Sequence, residues 1–146
     1  MDDVVSIIKE LLVREYLQRD VYETYSYWLF GLNSPAIQSH LEEHMKQEMR
    51  HIRILQRYLM DRCEEPFVAR LPIPVISRPK LVDVLKLNLK LEDEAIERYT
   101  EAIEIIEKAP KLTSLRIDLE NILTEEQEHV HDLKQWLIHN GISCKG

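Results

Sequence analysis

The stretch between about residues 62 and 77 is the feature that most limits how this chain can fold. Pro66, Pro72, Pro74 and, just beyond, Pro79 interrupt a sequence otherwise built for helices. Proline lacks the backbone N–H and disfavours helical geometry in the residue before it, so the stretch favours an extended path. Its 16 residues could span ~50 Å at ~3.1 Å each, whereas a helix of about 28 residues is ~42 Å long. The segment can therefore run the length of a helical bundle, and a connection this long implies that the helices on either side of it lie parallel.

On both sides, apolar residues recur at helical spacing. A first helix is expected from about residue 3 to 30, with Val4, Ile8, Leu11, Tyr22 and Leu29 on one stripe and Gly31 as its stop. Ser34 as N-cap and Pro35 at the first helical position open a second, whose stripe is Ile37, Leu41, Met45, Ile52, Leu55 and Leu59. Ser77 can cap a third that continues to about Lys108, and a fourth runs from about Leu112 to His139, ending at Asn140-Gly141. With only 3 glycines in 146 residues and long Leu-, Glu-, Lys- and Ile-rich stretches, the fold class is all-α. The expected architecture is one domain over residues 1–146, a four-helix bundle with one long crossover. The short turn between the third and fourth helices makes those two antiparallel neighbours.

Charge and cysteine content exclude several classes of function. A net charge of -7 repels a phosphate backbone or an anionic membrane, so neither nucleic acid nor membrane is an expected partner. Cys63 and Cys144 are too few for a disulfide scaffold or a thiolate zinc cluster. The expected topology puts them at opposite ends of the bundle, beyond the ~7 Å Cα limit for a disulfide. No basic signal region opens the chain and no apolar run approaches the ~18 residues of a membrane span, so a reducing cytoplasm is the expected location.

Ionisable residues interrupt each apolar stripe. The segment EEQEHVH, Glu125 to His131, contains two overlapping Glu-x-x-His pairs. Stepping by three or four from Leu115, Leu119, Ile122, Leu133 and Trp136 lands on Glu126 and His129, whereas Glu128 and His131 share a polar stripe with Asn121, Thr124 and Gln135. The first pair is expected to point inward and the second to solvent. By the same test the first helix contributes Glu15, the second Glu48 and His51, and the third Glu92.

Four carboxylates and two imidazoles in one dry interior are strongly disfavoured if left alone, because desolvation and mutual repulsion oppose the charged forms. Two divalent cations would offset the four negative charges. Glu-x-x-His at i, i+3 places oxygen and nitrogen donors on one helix face, within reach of one metal. A lone pair of this kind is most simply a surface pair. Here two occur, each preceded by a stripe-facing Glu, at intervals of 33 residues from Glu15 to Glu48 and 34 from Glu92 to Glu126. Such a near-repeat points to a dinuclear site.

The residues Glu15, E48-M-R-H51, Glu92 and E126-Q-E-H129 resemble the ligand set of the ferritin-like superfamily, especially its bacterioferritin and rubrerythrin branches. EMRH before the crossover, and LEDEAIERYTEAI on the third helix, are most similar to bacterioferritin. The resemblance covers residues 3 to 140. It implies that Glu48 and Glu126 bridge two metals, with Glu15 and His51 completing one position and Glu92 and His129 the other. Tyr22 stands where both branches often carry a tyrosine near the metals, either as a redox group or as a core aromatic bonded to a ligand carboxylate.

Met49 occupies the place of the haem-ligating methionine of bacterioferritin, which implies a possible haem. Met45, Met49 and Ile52 also form an apolar edge that suits packing against another subunit, and packing is the preferred reading. His44, on one helix face with His40 and His51, is either an extra ligand, an ion-uptake residue or a hydrogen-bonded core histidine. The aromatic residues Tyr16, Tyr25, Tyr27, Trp28 and Phe30 suit core and dimer contact. The sequence ends at HNGISCKG, without the short fifth helix of bacterioferritin, so a 24-subunit cage is not expected. The leading expectation is a ferroxidase-type protein, at least a dimer, taking two iron ions per subunit and oxidising Fe(II) with O2 or H2O2, with manganese or zinc as alternative occupants. The other readings are a rubrerythrin-like peroxide reductase and a non-enzymatic metal-binding bundle.

Overall fold

A computed structural model of the chain describes residues 2–29 and 34–145. Four helices make up the fold, α1 (Asp2–Ser26), α2 (Ser34–Asp61), α3 (Leu81–Glu107) and α4 (Thr113–His139), and no strand occurs among the described residues. α1 packs along α2 and α3 along α4, and the two pairs meet chiefly through α1 against α3. Among the described residues, no helix is long and apolar enough to cross a membrane.

The buried apolar residues form two clusters, and their membership fixes the direction of each helix. One holds Val4 and Ile8 from the start of α1, Leu55 and Leu59 from the end of α2, Ile103 and Ile106 from the end of α3, and Leu115 and Leu119 from the start of α4. The other holds Tyr25 and Leu29, Ile37 and Leu41, Val84 and Leu85, and Leu133 and Leu137. α2 and α3 therefore run parallel, as the long crossover demands. Its residue Phe67 packs on the first cluster, and Ile73 and Ile76 pack on the second.

Side chains from the helices pin this extended segment, whose own backbone makes no ladder. Gln56 accepts the Phe67 N–H at 3.2 Å and donates to the Phe67 carbonyl at 2.5 Å. Tyr25 Oη donates to the Pro74 carbonyl at 2.5 Å and accepts the Ile76 N–H at 2.9 Å.

Two helix boundaries and one cap differ from expectation. α1 ends at Ser26 rather than near residue 30. Ser26 Oγ donates to the Glu23 carbonyl at 3.1 Å, a side-chain bond that competes with continuing the helix; Phe30 and the expected stop at Gly31 lie outside the described residues. α3 begins at Leu81, so Ser77 does not cap it. Pro79 disfavours helix at Arg78, whose φ is +49°, and the Asp83 carboxylate instead accepts the Lys80 N–H at 3.0 Å. α2 starts at Ser34, but Ser34 Oγ makes no hydrogen bond, leaving Pro35 to set the start through its fixed φ.

The free thiols Cys63 and Cys144 sit at opposite ends of the bundle. Cys63 follows α2, and Cys144 packs on the cluster around Leu133 and Leu137. Two helices close with the same motif, in which the residue just past the cap adopts positive φ and two amides turn back to the last carbonyls. In α4 that residue is Gly141, φ +71°, with Ile142 N–H bonded to the Leu137 carbonyl. In α2 it is Cys63, φ +58°, with Glu64 N–H bonded to the Leu59 carbonyl. A side chain there is strained where glycine is not. Cys63→Gly is accordingly expected to stabilise the protein by about 0.5–1 kcal/mol, measured as a higher denaturant midpoint at unchanged slope.

Candidate metal centre

A polar layer separates the two apolar clusters. Glu15 from α1, Glu48 and His51 from α2, Glu92 from α3, and Glu126 and His129 from α4 are all buried within it. Their donor atoms converge as two groups, Glu15, Glu48, His51 and Glu126, and Glu48, Glu92, Glu126 and His129, with the atoms in each group within 4.8 Å of one another. Glu48 and Glu126 belong to both. Glu128 and His131 are exposed, so of the two overlapping pairs on α4 only the first reaches the interior.

Both histidines turn Nδ1 toward the carboxylates. His51 Nδ1 lies 3.3 Å from Glu15 Oε2, 3.1 Å from Glu126 Oε1 and 3.9 Å from Glu48 Oε2. His129 Nδ1 lies 3.2 Å from Glu92 Oε1 and 3.3 Å from Glu48 Oε1. The opposite ring nitrogens face outward, His51 Nε2 to the Glu125 carboxylate and His129 Nε2 to the Gln47 amide oxygen.

Two tyrosines hold the terminal carboxylates in a crossed arrangement. Tyr22 Oη donates to Glu92 Oε1 at 2.7 Å, and Tyr99 Oη donates to Glu15 Oε1 at 2.5 Å. Each tyrosine lies seven residues after the glutamate of its own half and bonds the glutamate of the other. Burial, with nearby carboxylate charge, pushes both phenols well above their ordinary value of 10, so both remain proton donors. Gln18 Nε2 adds a bond to Glu126 Oε2 at 2.9 Å.

The sequence expectations do not include the bond of Tyr99 to Glu15, although the repeated Glu-x6-Tyr spacing, Glu15 to Tyr22 and Glu92 to Tyr99, carries its signal. They also miss Gln18, Gln47 and Glu125; the last two occupy matching positions, each just before the shared glutamate of its helix. His44 is buried, its ring stacked on His129 with centroids 4.0 Å apart, and its Nε2 lies 3.3 Å from Asp132 Oδ2. Met49 is not part of this centre. It is 47% exposed on the outer face of α2, beside half-buried Met45.

Whether the donors suit a metal is tested by their unmet bonding. Both Glu48 oxygens, Glu92 Oε2 and Glu126 Oε1 are buried without a hydrogen-bond partner, a cost that cations would relieve. Burial, and then the charges of Glu126 and Glu15, push the Glu48 carboxyl well above its ordinary 4.5. Burial and the Glu126 charge do the same to Glu92. Burial acts against the charge on Glu126 too, but contacts with Glu92 and His51 outweigh it and hold this carboxyl well below the usual range. Burial lowers His129 and, with the neighbouring His129, brings His44 down to about 3. For His51 burial is overcome by the Glu15 charge, by its bond to Glu125 and by its contact with Glu126, so its value rises. Without a cation, Glu48 and Glu92 lower the charge of the centre by holding protons.

Those protons have a consequence for stability. Glu48 and Glu92 bind protons more tightly folded than unfolded, so the stability they contribute is complete below about pH 4.5 and is lost as pH rises toward their folded values. His51 acts with the same sign, its contribution being complete below its ordinary 6.5. His44 and His129 oppose it only below 6.5, because above that they are neutral in both states. The metal-free melting temperature is therefore expected to fall between pH 6.5 and 8.5, and excess Mn(II) to raise it and flatten the slope as the metal displaces protons. Glu48→Gln should raise the metal-free value at pH 8 by roughly 3–6 °C, the effect of about 1–2 kcal/mol in a domain of this size, and should reduce the gain from Mn(II). Calorimetric scans of both proteins, with and without metal, measure these changes.

Comparison with known proteins agrees with this architecture. The dodecameric thioferritin of Bacteroides fragilis, a bacterioferritin-related protein, has the same fold with a TM-score of 0.85 at 21% identity, over 96% of this chain and 87% of that one. A ferritin-like diiron-carboxylate protein of Bacillus anthracis str. Ames superposes with a TM-score of 0.85 at 20% identity, over 93% of this chain and 96% of that one. A search of the curated proteins finds no match. The family description "Ferritin-like domain" matches residues 5–139, which takes in α1 from Val5, the other three helices and the crossover, and the chain belongs to that family.

Proposed function

We propose that this protein binds two iron ions between its four helices and oxidises Fe(II) with O2 or H2O2, for storage or detoxification of iron. The observation that carries the proposal is the pair of donor groups sharing Glu48 and Glu126, all six residues buried, with four carboxylate oxygens otherwise without partners. Glu15 and His51 would complete one metal position and Glu92 and His129 the other. Carboxylate and imidazole donors suit iron and would also hold manganese or zinc, but zinc has no redox chemistry. The two solved structures of the same fold, one a diiron-carboxylate protein, support the reading.

As substrate, two Fe(II) supply the two electrons that take O2 to H2O2, or H2O2 to two waters, with two protons drawn from solvent. The protein's own groups position and neutralise. The four carboxylates offset the ions' charge, the inward Nδ1 atoms supply neutral donors, and Tyr22 and Tyr99 keep Glu92 and Glu15 in place while leaving one carboxylate oxygen of each free of the phenol. Tyr22 is assigned to the reaction in that role. The apolar clusters above and below exclude bulk water.

The same reading includes a homo-oligomer, at least a dimer. Tyr27, Trp28 and Met49 are exposed, and packing against a second copy would cover such apolar side chains. We assign Met49 to that contact, and a haem ligated by its thioether would compete for the same face.

Anaerobic protein mixed with Fe(II) and then exposed to air is expected to develop ferric absorbance at least tenfold faster than Glu48→Ala or Glu126→Ala. Equal rates would reject oxidation at this centre. Tyr22→Phe should slow the reaction less than either alanine variant. Iron accumulating to far above two per chain indicates storage, whereas sustained peroxide consumption with added reductant at two irons per chain indicates a peroxide reductase.

A further inference from the structure

Matched through the internal repeat, the two halves of the centre carry the same donors but different outer partners. Glu15 corresponds to Glu92, Glu48 to Glu126, His51 to His129 and Tyr22 to Tyr99. The residues just before the shared glutamates also correspond, yet one is Gln47 and the other Glu125. Each serves the histidine of the opposite half, so the His51 ring is backed by a carboxylate and the His129 ring by a neutral amide. A second difference lies four residues before each shared glutamate, where α2 has His44 and α4 has Ile122. His44 stacks on His129, and its Nδ1 is buried without a partner.

These differences act in one direction. An imidazole that donates its outer N–H to a carboxylate is a stronger metal donor than one that donates to an amide, because the carboxylate draws the proton toward itself and raises electron density on the inner nitrogen. Such charge-assisted bonds are about twice as strong as neutral ones. Glu125 also adds a negative charge next to one position, whereas Gln47 adds none next to the other. Arg50 donates to Glu125 Oε1 at 2.9 Å, but Arg50 is exposed and its charge is screened by water. On the opposite side Asp132 meets the His44 ring, which in turn stacks on His129.

We propose that the two metal positions are unequal: the one formed by Glu15 and His51 fills first and retains its ion, the one formed by Glu92 and His129 exchanges, and Glu125 sets this order. The inference rests on the reading of the six donors as a dinuclear site. It assigns different work to the two halves, with a held ion on one side and, on the other, the ion that leaves first after oxidation.

Calorimetric titration of the metal-free full chain with Co(II) tests it without reference to activity. The wild type should bind two ions in steps at least about tenfold apart. Glu125→Gln should weaken the tight step by about 10–100-fold, the usual cost of losing an outer-shell partner, and leave the weak step unchanged, so that the two merge. Gln47→Glu should tighten the weak step. Two indistinguishable steps in the wild type, or equal weakening of both steps in Glu125→Gln, would overturn the proposal while leaving the dinuclear site intact. Failure of the wild type to bind two ions would overturn the dinuclear reading itself. Should Glu125→Gln not fold, Gln47→Glu decides alone, an unchanged weak step counting against the proposal.

Discussion

Burial of four carboxylates in one layer is the constraint on which the rest of this structure depends. An isolated ionised carboxylate in a dry interior costs several kcal/mol even after relaxation, and Glu15, Glu48, Glu92 and Glu126 share one with no Lys or Arg among them. The fold answers in two ways. It supplies donors in the form of Tyr22, Tyr99 and Gln18, and it leaves the remaining need to protons or cations. Donors alone do not suffice, since four oxygens stay unpaired. A protein built only for stability would replace this layer with apolar residues, because a well-packed hydrophobic substitute is commonly neutral or better. Retaining the layer implies a use for it.

The layer also explains why the bundle has two apolar clusters rather than one. Each helix passes through the centre of the molecule with an ionisable residue on its inward face, so apolar contact is interrupted at the same height in all four. The clusters on either side hold that height in register. Phe67 on one and Ile73 and Ile76 on the other tie the crossover to both, so that α2 and α3 are kept parallel. Glu48 and Glu92, each near the middle of its helix, meet at the same level although 44 residues separate them in sequence.

Sequence was a good guide to whatever depends on periodicity. The inward faces of the helices, the choice of Glu126 and His129 over Glu128 and His131, and the length of the crossover all follow from spacings of three and four and from proline. Helix ends were less legible, because they depend on individual bonds: Asp83 rather than Ser77 closes the start of α3, and Ser26 turns back on Glu23 at the end of α1. The outer partners of the centre were hidden for a different reason. Glu125 and Gln47 sit at positions that a helical wheel places beside the buried stripe, where a polar residue ordinarily means solvent. Only the tilt of one helix against another shows that such a side chain reaches the back of an imidazole on its neighbour.

Crossed bonding between the halves makes the centre a property of the whole bundle. Tyr22 of the first half holds Glu92 of the second, Tyr99 of the second holds Glu15 of the first, and each histidine leans on the residue before the other half's shared glutamate. A single α1–α2 hairpin would own one histidine and two carboxylates but neither the phenol nor the outer acceptor that orient them. Two copies of such a hairpin could assemble a symmetric centre, with identical outer partners on both sides. Joining the halves in one chain removes that restriction, since each position is then free to differ from its counterpart. The pairing of Glu125 with Gln47, and of His44 with Ile122, is the form that freedom takes here: the carboxylates and imidazoles keep the repeat, and the residues behind them depart from it.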